Sequence, residues 1–166
     1  MHILARPRSG AFGMRAMRKP SAVRNAKAAF DETPCNNLAL RQAARHVSQL
    51  YDRHMAQVGL RGTQYSILSK LSRLGPMPLG KLADAMVMER TALSRAIGPL
   101  ERDGLVSVGA GSNGRTRSVA LTAAGETKFK AAHVQWSRAQ KEFETAFGVG
   151  QAEALRATLR RVIAAT

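Results

Sequence analysis

Apolar residues first settle into a helical rhythm at Leu40, Ala43, Ala44, Val47, Leu50, Tyr51, Met55 and Val58. Steps of three and four put them on one face of a long helix. Thr33 suits its N-cap, Pro34 its first helical position and Gly59 its end. A second helix, capped by Thr63, runs through Tyr65, Leu68, Leu71 and Leu74 and stops at Gly75-Pro76. A short third helix turns Leu79, Leu82, Ala83 and Met86 inward. A fourth, from about Arg90 to Arg102, does the same with Leu93, Ile97 and Leu100 and ends at Gly104. Pro99 lies inside this fourth span, where it is expected to kink the helix without breaking it.

The period then shortens to two. Leu105–Val108 and Arg117–Leu121 read as strands, and Asn113-Gly114 between them is a strong hairpin-turn signal because both residues tolerate positive φ. Thr122 caps another long helix whose apolar face is Phe129, Ala132, Trp136, Phe143 and Phe147, with Gly148 and Gly150 as breakers. A last helix carries Leu155, Leu159, Val162 and Ile163. Residues 1–30 show no such period; they read either as a basic arm without fixed structure or as a leader foreign to the folded protein.

Three helices followed by a hairpin, between long helices, make a mostly α fold with a small β-hairpin wing, a winged helix-turn-helix flanked by helical arms. The chain divides into a basic arm (1–33), a long N-terminal helix (34–60), a DNA-binding domain (61–121) and C-terminal helices (122–166). The fourth helix is the one expected in a major groove, about 12 Å wide and able to admit a helix. Its outward residues Arg90, Thr91, Ser94 and Arg95 share one face. Arginine suits guanine edges or phosphates; the hydroxyls suit either phosphates or bases. Arg115, just after the Asn-Gly turn, is placed to enter an adjacent minor groove. Arg117 fits two readings, a phosphate contact or a solvated edge charge.

Charge strengthens this picture. Lys and Arg number 26 against 11 Asp and Glu, a formal net charge of +15. Only seven of the basic residues and two of the acidic ones lie before residue 35, so the folded part is itself basic. Such an excess attracts polyanions. Membrane binding is not expected, since no stretch approaches the ~20 apolar residues of a span and the first residues have no amphipathic period. A lone cysteine, Cys35, excludes an internal disulfide and suits a reducing cytoplasm, in association with the nucleoid. No phosphate loop, nucleophile elbow or paired carboxylates stand out, so neither catalysis nor a cofactor is expected. His46 and His54, eight residues apart, lack the spacing of paired metal ligands.

The segments VMERTALSRAIGPLERDGLV and NGRTRSVALTAAG resemble the recognition helix, turn and wing of the MarR family of transcriptional regulators. LRQAARHVSQLYDRHMAQVGLRGTQYSILSKL resembles that family's first two helices, and the likeness spans about residues 35–165. It implies a dimer of intertwined terminal helices, released from DNA by a small ligand or an oxidised cysteine. It carries groove-facing roles onto Arg90, Thr91, Ser94 and Arg95, and the wing-arginine role onto Arg115. Asn113 stands where the family's wing motif has an aspartate.

Two further sites are candidates. His46, Tyr51 and Tyr65, with His54, lie on helices expected to enclose a cleft between the dimerisation and DNA-binding parts, where a small aromatic or phenolic effector would bind; each fits mere packing as well. Cys35, near a helix N-terminus, is either a reactive thiol or a small buried hydrophobe. The function expected is that of a homodimeric repressor on double-stranded DNA, released from a pseudo-palindromic operator by such an effector or by oxidation. The alternative is an architectural protein that coats DNA with little regard to sequence.

Overall fold

The computed structural model describes residues 34–111 and 116–165. Arg41–Thr166 belong to one compact unit, and residues 34–40, the first of the described chain, belong to another. Six helices and three strands follow in order: α1 (Asn36–Ala56), α2 (Gly62–Leu74), β1 (Met77–Pro78), α3 (Leu79–Met86), α4 (Arg90–Arg102), β2 (Val106–Ala110), β3 (Arg117–Leu121), α5 (Ala123–Phe147) and α6 (Val149–Ala165). This is a winged helix-turn-helix with long terminal helices.

Several boundaries differ from the sequence reading for identifiable reasons. Helix α1 ends at Ala56, and Gly59, at φ 65°, lies in the turn beyond it. Helix α2 is not capped by Thr63, which falls in its first turn. The first N–H groups of a helix have no intrahelical acceptor. Here Asp52 of α1 accepts from the Gly62 N–H at 2.7 Å, and the Gln64 side chain accepts from the Arg61 N–H at 2.8 Å. A carboxylate is also favoured beside the positive end of the helix dipole. Helix α4 continues through Pro99 to Arg102. Gly148, at φ 96°, separates α5 from α6, but Gly150 lies inside α6.

The hairpin gains a third strand. Met77 pairs with Val119 and Pro78 with Ser118, giving an antiparallel sheet in the order β1-β3-β2. Two residues carry no periodicity, and proline cannot donate to a ladder, so β1 left no strand signal in the sequence. Strand β2 extends to Ala110, paired with Arg117, and the Gly111 N–H donates to the Thr116 carbonyl at 2.6 Å. Asn113 and Gly114, the expected turn, lie outside the described residues.

The core gathers around α2. Tyr65, Ile67, Leu68 and Leu71 are buried together with Met55, Leu82, Leu93, Ile97, Leu100, Leu105, Val106 and Val119. The terminal helices contribute little to it: Met55 is the buried residue of α1, and Ala152 that of α6. On α6, Leu159, Val162 and Ile163 remain 36%, 42% and 57% exposed.

Two backbone features hold the winged helix-turn-helix in shape. The first surrounds Leu105. Thr122 accepts a hydrogen bond from the Gly125 N–H at 3.0 Å, as its N-cap role requires, and its hydroxyl donates to the Gly104 carbonyl at 2.6 Å. The Thr122 N–H donates to the Leu105 carbonyl at 3.2 Å. Gly125 passes so close that a Cβ would collide with the Leu105 carbonyl oxygen. The second is Val87, between α3 and α4, at φ 52° and ψ 48°. This left-handed conformation is costly for a β-branched residue.

Gly125→Ala should therefore lose roughly 1–3 kcal/mol through overpacking against backbone. Gly150→Ala, whose Cβ meets nothing within 4 Å, should instead gain up to about 1 kcal/mol from helix propensity. Urea denaturation of the two variants beside the parent gives both signs; equal midpoints would refute the close-approach account. Val87→Asn should raise stability by ~1 kcal/mol, because asparagine tolerates the left-handed region and Val87, 69% exposed, gives up little burial. A lower thermal midpoint would show that the valine is not strained.

Candidate nucleic-acid interface and effector cavity

Burial of Leu93, Ile97 and Leu100 fixes the roll of α4. Arg90, Thr91, Ser94 and Arg95 are left exposed, Thr91 and Arg95 on the side away from that stripe, together with Arg102 near the end. The Arg90 guanidinium lies over the first turn of α3, where a Cβ on Gly80 would sit 3.4 Å from its Nη2. Arg117 of β3 lines a small cleft, about 90 Å³, with Ser94, Ile97 and Glu101 of α4 and with Leu79 and Val108. It therefore stands at the seam between α4 and the wing. Arg115 lies outside the described residues.

The ion pairs among the described residues are all elsewhere. Glu142 of α5 pairs with Arg53 at 3.0 Å and His54 at 2.8 Å, and Glu144 pairs with Arg156 of α6 at 3.1 Å. Both carboxyls are held below their ordinary range, Glu142 chiefly by the hydrogen bond from His54 and Glu144 chiefly by that from Gln140. No ion pair among the described residues engages Arg90, Arg95 or Arg117.

A second feature lies between α1, α2 and α5. A cavity of about 460 Å³ is lined by residues that include Tyr51, Asp52, Tyr65, Met86, Met88 and Trp136. Tyr51 and Tyr65 thus share one cavity. His46 does not join them; it is exposed on α1, where the helix turns it away from the lining. His54 is also elsewhere, held by Glu142 beside a separate shallow cleft.

The Tyr51 hydroxyl donates to Gln140 Oε1 at 2.6 Å, Gln140 Nε2 donates to Glu144 Oε1 at 2.6 Å, and Arg156 Nη1 donates to the same oxygen. Burial, reinforced by the Glu144 carboxylate, pushes the Tyr51 phenol above its usual value against the opposing pull of Arg156. The Tyr65 hydroxyl meets His133 Nδ1 at 2.9 Å, and burial likewise raises its phenol. The Tyr65 ring stacks with Phe129 and Trp136 at centroid distances of 5.9 and 6.3 Å. His133 and Asp52 were missed as site neighbours. The spacing Phe129, His133, Trp136 on one helical face was the available signal for the first.

Cys35 is exposed just before α1, with its Sγ accepting from the Leu38 N–H at 3.5 Å; it is not a buried hydrophobe. Among the described residues no three His, Cys, Asp or Glu side chains gather to hold a metal ion, and no helix is long and apolar enough to cross a membrane.

Known proteins share this arrangement. The MarR family profile matches residues 60–113, the stretch from the start of α2 into the wing. An uncharacterised HTH-type transcriptional regulator of Bacillus subtilis, YwoH, is 27% identical over 103 residues, covering 62% of this chain and 75% of the relative. The crystal structure of the Mycobacterium tuberculosis transcriptional regulator MosR in complex with DNA is 33% identical, with a TM-score of 0.69, and covers 79% of this chain and 97% of its own. A mutant of E. coli MarR complexed with operator DNA shares the fold at 16% identity and a TM-score of 0.69, over 76% of this chain and 91% of its own. The MarR profile match, together with 33% identity to MosR over nearly the whole of that relative, establishes that the chain belongs to the MarR family of transcriptional regulators.

Proposed function

We propose that this chain binds double-stranded DNA as a homodimeric, sequence-specific repressor, with α4 in the major groove and the wing beside it. The observation that carries the reading is the exposed face of α4, where Arg90 and Arg95 flank Thr91 and Ser94 and no carboxylate of the described residues neutralises the arginines. Arg95, well along the exposed face, is assigned to base edges. Arg90, against α3, and Arg117, at the seam with the wing, are assigned to phosphates. Arg115 is assigned to the minor groove beside the wing tip. The DNA complexes of the MosR and MarR proteins support the same use of the fold.

Dimerisation is supported by apolar side chains that the compact unit leaves uncovered. Phe147, Val149, Leu159 and Ile163 are exposed at the end of α5 and along α6, and large apolar side chains left uncovered on neighbouring elements suit an association face. A twofold dimer would set its two recognition helices about 34–36 Å apart, on a pseudo-palindromic site. Release by a small aromatic molecule is supported by the cavity that Tyr51 and Tyr65 line. Release by oxidation is the second route, supported by the exposure of Cys35.

Selection of fragments from genomic DNA by the purified protein should yield a pseudo-palindrome. Arg95→Ala should then lose ~1–3 kcal/mol on that site and much less on random DNA, as expected for a base contact. Equal loss on both would make Arg95 a phosphate contact, and a parent protein that does not distinguish the two DNAs would favour the architectural role. Peroxide should release the parent from the selected site while Cys35→Ser stays bound. Equal release of both would remove the cysteine from the mechanism.

A further inference from the structure

The lining of the large cavity has an unusual balance of chemistry. Its twelve residues include three aromatic rings, Tyr51, Tyr65 and Trp136, and three methionines, Met55, Met86 and Met88. Among the described lining residues one, Asp52, is acidic and none is Lys, Arg or His. An aromatic acid placed there would find a carboxylate and no cation among those residues. We propose that the cavity binds an aromatic cation, a flat ring bearing a quaternary or protonated amine; the inference rests on the effector-responsive reading above and names the effector's class.

Three observations define the seat. The Trp136 and Tyr65 rings both line the cavity, 6.3 Å apart with an interplanar angle of 21°, and they stack in turn on His133 and Phe129. Ring faces are negative and attract a cation within about 6 Å, tryptophan most strongly. Asp52 spends one oxygen on the Gly62 N–H, and its other oxygen takes no hydrogen bond from the described residues. Asp52 also borders a shallower cleft with Arg61, but the two form no ion pair. The three methionine side chains are flexible and polarisable, which lets the walls fit an aromatic guest closely.

The net charge of +15 opposes any cation at long range. At physiological ionic strength that repulsion is screened beyond about 8 Å. Asp52 is itself exposed, but a guest in contact with its carboxylate lies well inside that length and meets the charge directly, which decides the preference. The same position gives a route to the DNA-binding face. Met86 and Met88 flank the strained Val87, so a guest pressing on them bears on the turn that sets α4 against α3.

Trp136 is the chain's single tryptophan, so binding can be followed by its own fluorescence, without DNA. Benzyltrimethylammonium should change the emission saturably, with a Kd about tenfold or more below that for salicylate. Asp52→Asn, which keeps an acceptor for the Gly62 N–H, should erase most of that preference. Ser48→Lys, which adds a cation to the lining, should reverse it toward salicylate. Salicylate binding as tightly as the cation, or a preference that survives both substitutions, would overturn the proposal. Binding of the ligand-free protein to its selected DNA site, measured separately, keeps failure of this inference distinct from failure of the DNA-binding reading.

Discussion

The wing and the helix behind it are anchored at one stretch of backbone, the passage of Leu105 beneath Gly125. Leu105 begins the wing by donating to the Leu100 carbonyl at the end of α4. Its own carbonyl receives the Thr122 N–H, and Thr122 in turn caps α5 and reaches back to Gly104. Four elements are therefore tied within a few residues, and only a residue without a side chain fits at Gly125. Because the anchorage is backbone against backbone, it is less able to yield than a side-chain contact. The orientation of β2 and β3 relative to α4 depends on it, and with that the geometry any DNA would meet.

Around this anchorage the charges are segregated. Glu142 and Glu144, the acids that form ion pairs among the described residues, face α1 and α6, where they join the long helices to α5. The arginines of α4 and β3 are left without carboxylate partners among the described residues. Surface ion pairs stabilise folded proteins only weakly, so the cost of leaving these arginines unpaired is small, while their availability to a polyanion is large.

The cavity occupies the position that could make this arrangement responsive. Its floor is core, through Met55 and Tyr65, and its edge is the α3–α4 turn, through Met86 and Met88. One wall, Tyr51, leads through Gln140 and Glu144 to Arg156 on α6. A single occupant would touch elements belonging both to the reading head and to the terminal helices. That is the condition for coupling between two sites, since a ligand shifts an equilibrium only through unequal contacts with its two states.

The sequence by itself determined the order and kind of the principal elements. The 3.6-residue period of Leu93, Ile97 and Leu100 bounds α4 and assigns its polar face, because burial of one stripe forces the opposite one outward. The shift to period two at Leu105 and the capping chemistry of Thr122 locate the wing and the start of α5. Tertiary structure alone decided what depends on neighbours distant in the chain. Strand β1 exists only because β3 lies beside it, and Asp52 caps α2 only because the turn after α1 brings it back. Tyr51 and Tyr65 share a cavity from which His46 is absent, although all three lie on helices of similar pattern. Periodicity states which face of a helix is buried. Which helix meets that face, and at what height, is settled by packing of the whole chain, and the chemistry of the cavity follows from that choice.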